Sequence, residues 1–141
     1  MVIESYTIPC SCENLSKIRH FMEAKLQALP LSDTDKFKII LAVDEACANA
    51  IIHGNKCNAH HILQVRFAAF ANYIQVDICD TGKIAPKNQT PPTEPNITDF
   101  TEKRQRGGLG LSLIHHIMDK VTYYPKGKQT VCTLVKNLPA A

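Results

Sequence analysis

The stretch LAVDEACANAIIHGN, residues 41–55, has the apolar content of a core helix but places polar residues where a core helix would not. Leu41, Glu45, Asn49 and His53 follow one another at steps of four. Such steps form one ridge along a helix, so a carboxylate, an amide and an imidazole line up behind a leucine. The flanking positions Val43, Ala46, Ala48, Ile51 and Ile52 are apolar and mostly small, which leaves little room for a water-facing stripe. Polar residues on a helix are ordinarily a solvated face. Here burial is the stronger expectation, and buried polar groups need partners. An amide oxygen beside a carboxylate suits Mg²⁺, which prefers oxygen ligands and keeps phosphates in its shell.

Outward from this helix the elements follow from periodicity. Residues 2–8, VIESYTI, read as a strand stopped by Pro9. Leu15, Ile18, Met22, Leu26 and Leu29 recur at helical spacing and Pro30 closes that segment. Ser32 or Asp33 caps the second helix, which runs to about Gly54. HILQVRFAAF and YIQVDICD form a hairpin that breaks at Asn72. After the glycines at 107–108, Leu111, Ile114 and Met118 form one helical stripe, with Leu113, Ile117 and Val121 beside it. A strand, a turn at Lys126–Gly127–Lys128 and a last strand complete the chain. The expected fold is α+β: a two-layer α/β sandwich with a mixed, mostly antiparallel sheet of about five strands and three main helices on one face.

Between the third strand and the third helix lies TGKIAPKNQTPPTEPNITDFTEKRQRGG, with prolines 86, 91, 92 and 95 and no hydrophobic period. A structureless segment of this length inside a compact domain is usually functional, and residues 83–106 read as a mobile lid. Too few residues follow it for an independent domain, so residues 1–141 read as one domain.

The totals exclude several classes. Hydrophobic residues at 45% and charged residues at 21% are ordinary globular values. A net charge of +3 without a long basic run argues against direct nucleic-acid binding. No apolar run spans a membrane and no signal peptide opens the chain, so the expectation is a cytoplasmic protein. Cys47, Cys79 and Cys132 sit in apolar periodic segments, and all six cysteines, with Cys10, Cys12 and Cys57, are expected to be reduced. Cys10, Cys12, Cys57, His60 and His61 lack the paired spacing of a zinc site.

Two further motifs carry chemistry. The strand VDICDTG delivers Asp80 and, two residues on, Gly82; taken singly, Asp and Gly at a strand end read as a turn. RGGLGL opens a helix with glycines, exposing backbone N–H groups and the positive end of the helix dipole, a ready place for phosphate. It is neither a P-loop, since no Gly-Lys-Ser/Thr follows, nor a dinucleotide fingerprint, since no strand precedes it. A flexible hinge is the plainer reading of these glycines.

The order Glu-x-x-x-Asn, Asp-x-Gly, proline-rich lid and Gly-x-Gly-Leu resembles the nucleotide site of the Bergerat-fold (GHKL) ATPases. The chain is most similar to the stand-alone serine/threonine kinases that act as anti-sigma factors in bacterial partner switching. NLSKIRHFME, the helix at 41–55 and RGGLGLSLIHHIMDKVTYY carry that resemblance. It implies ATP and Mg²⁺ as cofactors, with Asn49 as the Mg²⁺ ligand and Glu45 as the general base. It implies that Asp80 accepts a hydrogen bond from the adenine amino group and that Gly82 lets the backbone approach the base. Gly108 and Gly110 would wrap the phosphates, Arg106 would reach the γ-phosphate, and Thr130 would stand near the base pocket. His53 would pack or bond locally.

The implied partners are a STAS-domain anti-anti-sigma protein, which is the phosphoryl acceptor, and a sigma factor; a homodimer is expected, with the first helix and Arg19 as a dimer or partner surface. Two departures stand out: DTGKIAPK lacks the second glycine many relatives carry, and Gly107 adds one before Gly-x-Gly. An ATP-binding switch without kinase turnover is the alternative. A sensor histidine kinase is disfavoured because the chain has no room for a separate helical hairpin bearing a phospho-accepting histidine.

Overall fold

The second helix organises the molecule. In the computed structural model, which describes residues 2–54, 57–80, 108–127 and 129–139, helix α2 spans Asp33–Ala48. Ser32 caps it, its hydroxyl accepting the Asp35 N–H at 3.1 Å. Asp33 and Asp35 stand in the first turn, where the helix dipole favours negative charge. Ile39, Ala42, Val43, Ala46 and Cys47 form its buried stripe. At Asn49 the winding widens, and Asn49–Gly54 is a π-helical turn. The expected end near Gly54 is therefore met, with a change of hydrogen-bond pattern before it. Such π turns cluster at functional sites.

Helix α1, Leu15–Leu26, follows a 3₁₀ turn at Cys12–Asn14 and buries Ile18, Met22 and Leu26 at four-residue steps. The buried Asn14 side chain donates from Nδ2 to the Pro9 carbonyl at 2.9 Å, which fastens the end of the first strand to the start of α1. Arg19 and Asp44 pair at 3.5 Å between α1 and α2, and Lys25 pairs with Glu4. Helix α3 spans Gly108–Ile117 and packs against α2.

The strands are β1 Val2–Pro9, β2 Ile62–Ala69, β3 Tyr73–Asp80, β4 Lys120–Lys126 and β5 Gln129–Asn137. They lie in the order β1-β2-β3-β5-β4, and all four pairings are antiparallel. The expectation of a mixed sheet is corrected here. The β3-α3-β4 crossover would set two parallel strands side by side, but β5 returns between them and pairs with both. Gly127, at φ +63°, makes the β4–β5 turn in the left-handed region that favours glycine.

Alternation sorts the two faces. Leu63, Val65 and Phe67 of β2, Ile74, Val76 and Ile78 of β3, and Cys132 and Leu134 of β5 pack beneath the helices. The opposite face carries Asp77, whose Oδ1 accepts from Thr133 Oγ1 at 2.8 Å and from Gln75 Nε2 at 3.1 Å.

The cysteines divide. Cys10, Cys47, Cys79 and Cys132 are buried free thiols, as expected of small hydrophobes. Cys12 and Cys57 are joined by a disulfide, which corrects the expectation that all six are reduced. The Cys10 N–H donates to the His61 carbonyl at 2.9 Å, so the segment after β1 lies against the segment before β2. That brings the Cα atoms of Cys12 and Cys57 to 5.6 Å across a sequence separation of 45, a proximity that no local pattern encodes.

A bond closing a loop of this length should stabilise the protein by about 2–4 kcal/mol, chiefly by restricting the unfolded chain. Urea titration should give a lower midpoint after dithiothreitol treatment. Cys57→Ser should match the reduced wild type in either buffer. Equal midpoints for the oxidised and reduced wild type would show that the bond contributes nothing.

Burial lowers the His115 pKa below its usual 6.5, and among the described residues its Nε2 has no hydrogen-bond partner. A lowered histidine pKa means that the unfolded chain takes up the proton first. Stability should therefore fall as pH drops below about 6.5 and be indifferent to this group above it. His115→Gln should flatten the fall between pH 7 and 5; an unchanged pH profile in that variant would assign the fall to other groups.

Candidate functional site

The ridge of α2 is neither core nor open surface. Leu41, Glu45 and Asn49 are all half-buried, while the neighbouring Ala42, Val43, Ala46 and Cys47 are fully covered. A fully solvated stripe is thereby excluded. The Asn49 N–H is shared between the Ala46 and Glu45 carbonyls, so the α-to-π change falls at the residue whose amide the sequence singles out. The His53 side chain lies outside the described residues.

Leu41 lines a crevice opposite Leu113, His116 and Ile117 of α3, together with Thr34, Phe37 and Lys38 from the N-terminal half of α2. The start of α2 thus lies beside the end of α3, so the two helices run in opposite senses. Glu45 and Asn49 follow Leu41 along the same ridge at four-residue steps. Gly108 opens that helix and Gly110 lies in its first turn, where backbone N–H groups have no partner within the helix. The sequence expectation of glycines at a helix start is met for both. Gly82, Arg106 and the lid at 83–106 lie outside the described residues.

Asp80 is the last residue of β3 and is only 8% exposed. It shares the helix-covered face with Ile74, Val76 and Ile78. The sheet register sets it between Leu63 of β2 and Thr130 of β5. The sequence marked Asp80 and Thr130 separately; the β3–β5 pairing makes them direct neighbours.

Thiols surround this carboxylate, and periodicity alone did not associate them with it. Burial, and then the Asp80 charge, push the Cys10 thiol up to about 11. Burial raises Cys47 well above its usual range, with the nearby Asp44 and Asp80 carboxylates adding to it. Cys132 is pushed up to about 12, mainly by burial, although its hydrogen bond with Tyr123 acts the other way. All three remain protonated at neutral pH, so they pack as small apolar groups and do not serve as nucleophiles. Asp44, next to Glu45, has its pKa raised by burial, and the Arg19 charge pulls the other way. Arg19 is therefore engaged with α2 and is not simply a solvated charge.

Chemically, the arrangement fits a purine nucleotide. A buried carboxylate at a strand end can accept from an exocyclic amino group, and a helix N-terminus favours phosphate. Asn49 offers one neutral oxygen, which fits Mg²⁺ when phosphates supply further oxygens. Among the described residues no three His, Cys, Asp or Glu side chains gather as metal ligands, so a protein-only cage for a metal is not formed there.

Comparison with known proteins agrees with this geometry. Residues 8–136 match the family of histidine kinase-like ATPase domains. The serine-protein kinase RsbW of Staphylococcus epidermidis is 32% identical over 130 residues, covering 88% of this chain and 80% of that protein. RsbW of Staphylococcus aureus strain MSSA476 is 31% identical over the same shares. Among solved structures, the RsbU and RsbW domains of Rv1364c from Mycobacterium tuberculosis superpose with a TM-score of 0.69 at 15% identity, over 99% of this chain and 34% of that one. SiaB in the SiaB–SiaC complex of Pseudomonas aeruginosa gives 0.63 at 13% identity, over 96% and 89%. These two likenesses concern the fold. Taken with the half-buried Glu45–Asn49 ridge and the Asp80 strand end, the sequence matches place this chain in the histidine kinase-like (GHKL) ATPase family, among the serine-protein kinases of the RsbW type.

Proposed function

We propose that this chain is a cytoplasmic Mg-ATP-dependent protein serine/threonine kinase and anti-sigma factor. Its phosphoryl acceptor is a STAS-domain anti-anti-sigma protein, it sequesters a sigma factor while that antagonist is phosphorylated, and it works as a homodimer. The observation that carries the kinase reading is the half-buried placement of Glu45 one turn before Asn49, at the point where α2 becomes a π turn. A nucleotide-binding switch needs Asn49 but has no use for a second, carboxylate-bearing position on that ridge.

In this reading Asp80 accepts from the adenine amino group, with Thr130 beside it on β5. Gly82 keeps the backbone close to the base. Gly108 and Gly110 present N–H groups to the phosphates, and Arg106 offsets γ-phosphate charge from the lid. Asn49 Oδ1 holds Mg²⁺, which when bound neutralises phosphate charge. Glu45 takes the proton from the partner's hydroxyl as that oxygen attacks the γ-phosphorus, and ADP leaves. Positioning and charge neutralisation do most of the catalysis in phosphoryl transfer. Among the described residues no helix is long and apolar enough to cross a membrane.

Adenine recognition by Asp80 predicts that the protein binds ATP and ADP and discriminates against GTP, because guanine places an acceptor where adenine has a donor. Asp80→Asn should weaken ATP binding with the circular dichroism spectrum unchanged. Equal wild-type affinities for ATP and GTP in calorimetry would refute this role.

Glu45 and Asn49 should fail differently. Asn49→Ala should weaken Mg-ATP binding, and transfer with it. Glu45→Ala should retain ATP binding and lose about 10²–10⁴-fold in turnover, the usual contribution of a general base. The assay is transfer of labelled phosphate to STAS-domain proteins of the same genome. Wild-type rates in Glu45→Ala would make Glu45 structural. No transfer by the wild type to any of them would favour the binding switch.

A further inference from the structure

We propose that Cys12 and Cys57 form a reversible thiol–disulfide modification site, oxidised by a low-molecular-weight disulfide, that sets how tightly the chain binds Mg-ATP. This rests on the reading of Asn49 as the Mg²⁺ ligand and on the cytoplasmic setting proposed above, and adds a regulation of that site.

Exposure separates these two cysteines from the rest. Cys10, Cys47, Cys79 and Cys132 are buried free thiols, whereas Cys12 and Cys57 are exposed and bonded to each other. Their Cα atoms lie 5.6 Å apart, within the span that a disulfide bridges without moving the backbone. In a reducing cytoplasm a disulfide is ordinarily transient and redox-sensing, and an exposed one is of the labile kind. The neighbouring Cys10 is covered and its thiol is pushed up to about 11, so it does not compete in the exchange. In that exchange one protein thiolate attacks the small disulfide, a mixed disulfide forms and one small thiol leaves. The second protein thiolate then displaces the other. Two electrons pass from the protein sulfurs to the small disulfide, and the two protons lost by the protein thiols go to the two released thiols.

What the bond joins links it to the nucleotide. Cys12 opens the 3₁₀ turn before α1. That turn is fastened to the sheet by the Asn14 bond to the Pro9 carbonyl at 2.9 Å and by the Cys10 N–H bond to the His61 carbonyl at 2.9 Å. Cys57 follows closely on Gly54, the last residue of the π turn that begins at Asn49. Its N–H donates back into that turn, to the carbonyl of the fully buried Ile51 at 2.8 Å. Among the described residues Cys57 is the one non-glycine in the left-handed region, at φ +56°. Such a conformation persists where surrounding contacts hold it, here the Ile51 hydrogen bond and the link to Cys12. The disulfide thus ties the far end of the Asn49 turn to a fixed point at the start of α1. Reduction removes that tie, and Mg²⁺ binding at Asn49 must then restore order that the oxidised protein already has.

The test uses the full chain equilibrated in mixtures of oxidised and reduced glutathione. Alkylation and mass spectrometry count the bonded fraction, and calorimetry measures nucleotide binding. The Cys12–Cys57 bond should form in excess oxidised glutathione and open in excess reduced glutathione, with the four buried thiols unchanged. The oxidised form should bind Mg-ATP about three- to tenfold more tightly, as expected from ordering one turn in advance. Affinity for ATP in EDTA should stay within about twofold between the two forms, because without the metal Asn49 has nothing to hold. Cys12→Ser and Cys57→Ser should each bind Mg-ATP as the reduced wild type does, at every glutathione ratio and with an unchanged circular dichroism spectrum. Equal Mg-ATP affinity in the two forms, or tighter binding by the reduced one, would overturn the switch and leave the nucleotide reading intact. A bond that stays closed in excess reduced glutathione, or never forms, would do the same. An equal fall in Mg-ATP and metal-free ATP affinity on reduction would trace the effect to general loosening and overturn it too. Failure of both forms to bind Mg-ATP would remove the nucleotide reading, and the switch with it.

Discussion

The close seating of α2 on the sheet is the contact on which the site depends. Ala42, Ala46 and Cys47 are small, so the helix axis can approach strands whose own inward residues are large, among them Phe67, Ile74 and Ile78. Close approach fixes the rotation of the helix about its axis. The ridge of Leu41, Glu45 and Asn49 is consequently half-buried, neither pressed into the core nor released to solvent, and its Leu41 end faces α3. A larger residue at Ala42 or Ala46 would lift the helix and swing the carboxylate and the amide together. Overpacking of this kind typically costs about 1–3 kcal/mol. At this position it would also displace chemistry.

The other half of the site depends on the sheet. β5 lies between β3 and β4, so Asp80 ends a central strand with neighbours on both sides, Leu63 and Thr130. A carboxylate at a sheet edge would be solvated and a poor discriminator between bases. Covered and flanked, Asp80 is a carboxylate for which a lost hydrogen bond would be costly, which suits the base discrimination proposed for it. The protonated thiols of Cys10, Cys47 and Cys132 add apolar volume near it without adding charge.

Much of the fold was legible in the chain. The stripe Ile18, Met22 and Leu26, the Ser32 cap and the alternation in β2 and β3 are local patterns, and each appears where periodicity put it. The polar ridge on α2 was legible for a related reason: polar groups at four-residue steps among small apolar ones conflict with either bland reading of a helix. Arg106 and Gly82 rest on motif resemblance, since neither belongs to a periodic element. The Cys12–Cys57 bond was missed because apolar periodicity says nothing about an exposed pair 45 residues apart.

By itself, the sequence determined the inventory found among the described residues: five strands, three helices, their order, and a polar ridge on the second helix. These are consequences of side-chain periodicity and of turn and cap chemistry, which act over a few residues. Tertiary structure alone decided that β5 inserts between β3 and β4, that Asp80 faces Thr130, that α2 widens into a π turn at Asn49, and that Leu41 and Phe37 share a recess with α3. Each of these except the π turn joins residues tens of positions apart. Such contacts are set by how whole faces bury against one another, and no local window of the chain records that.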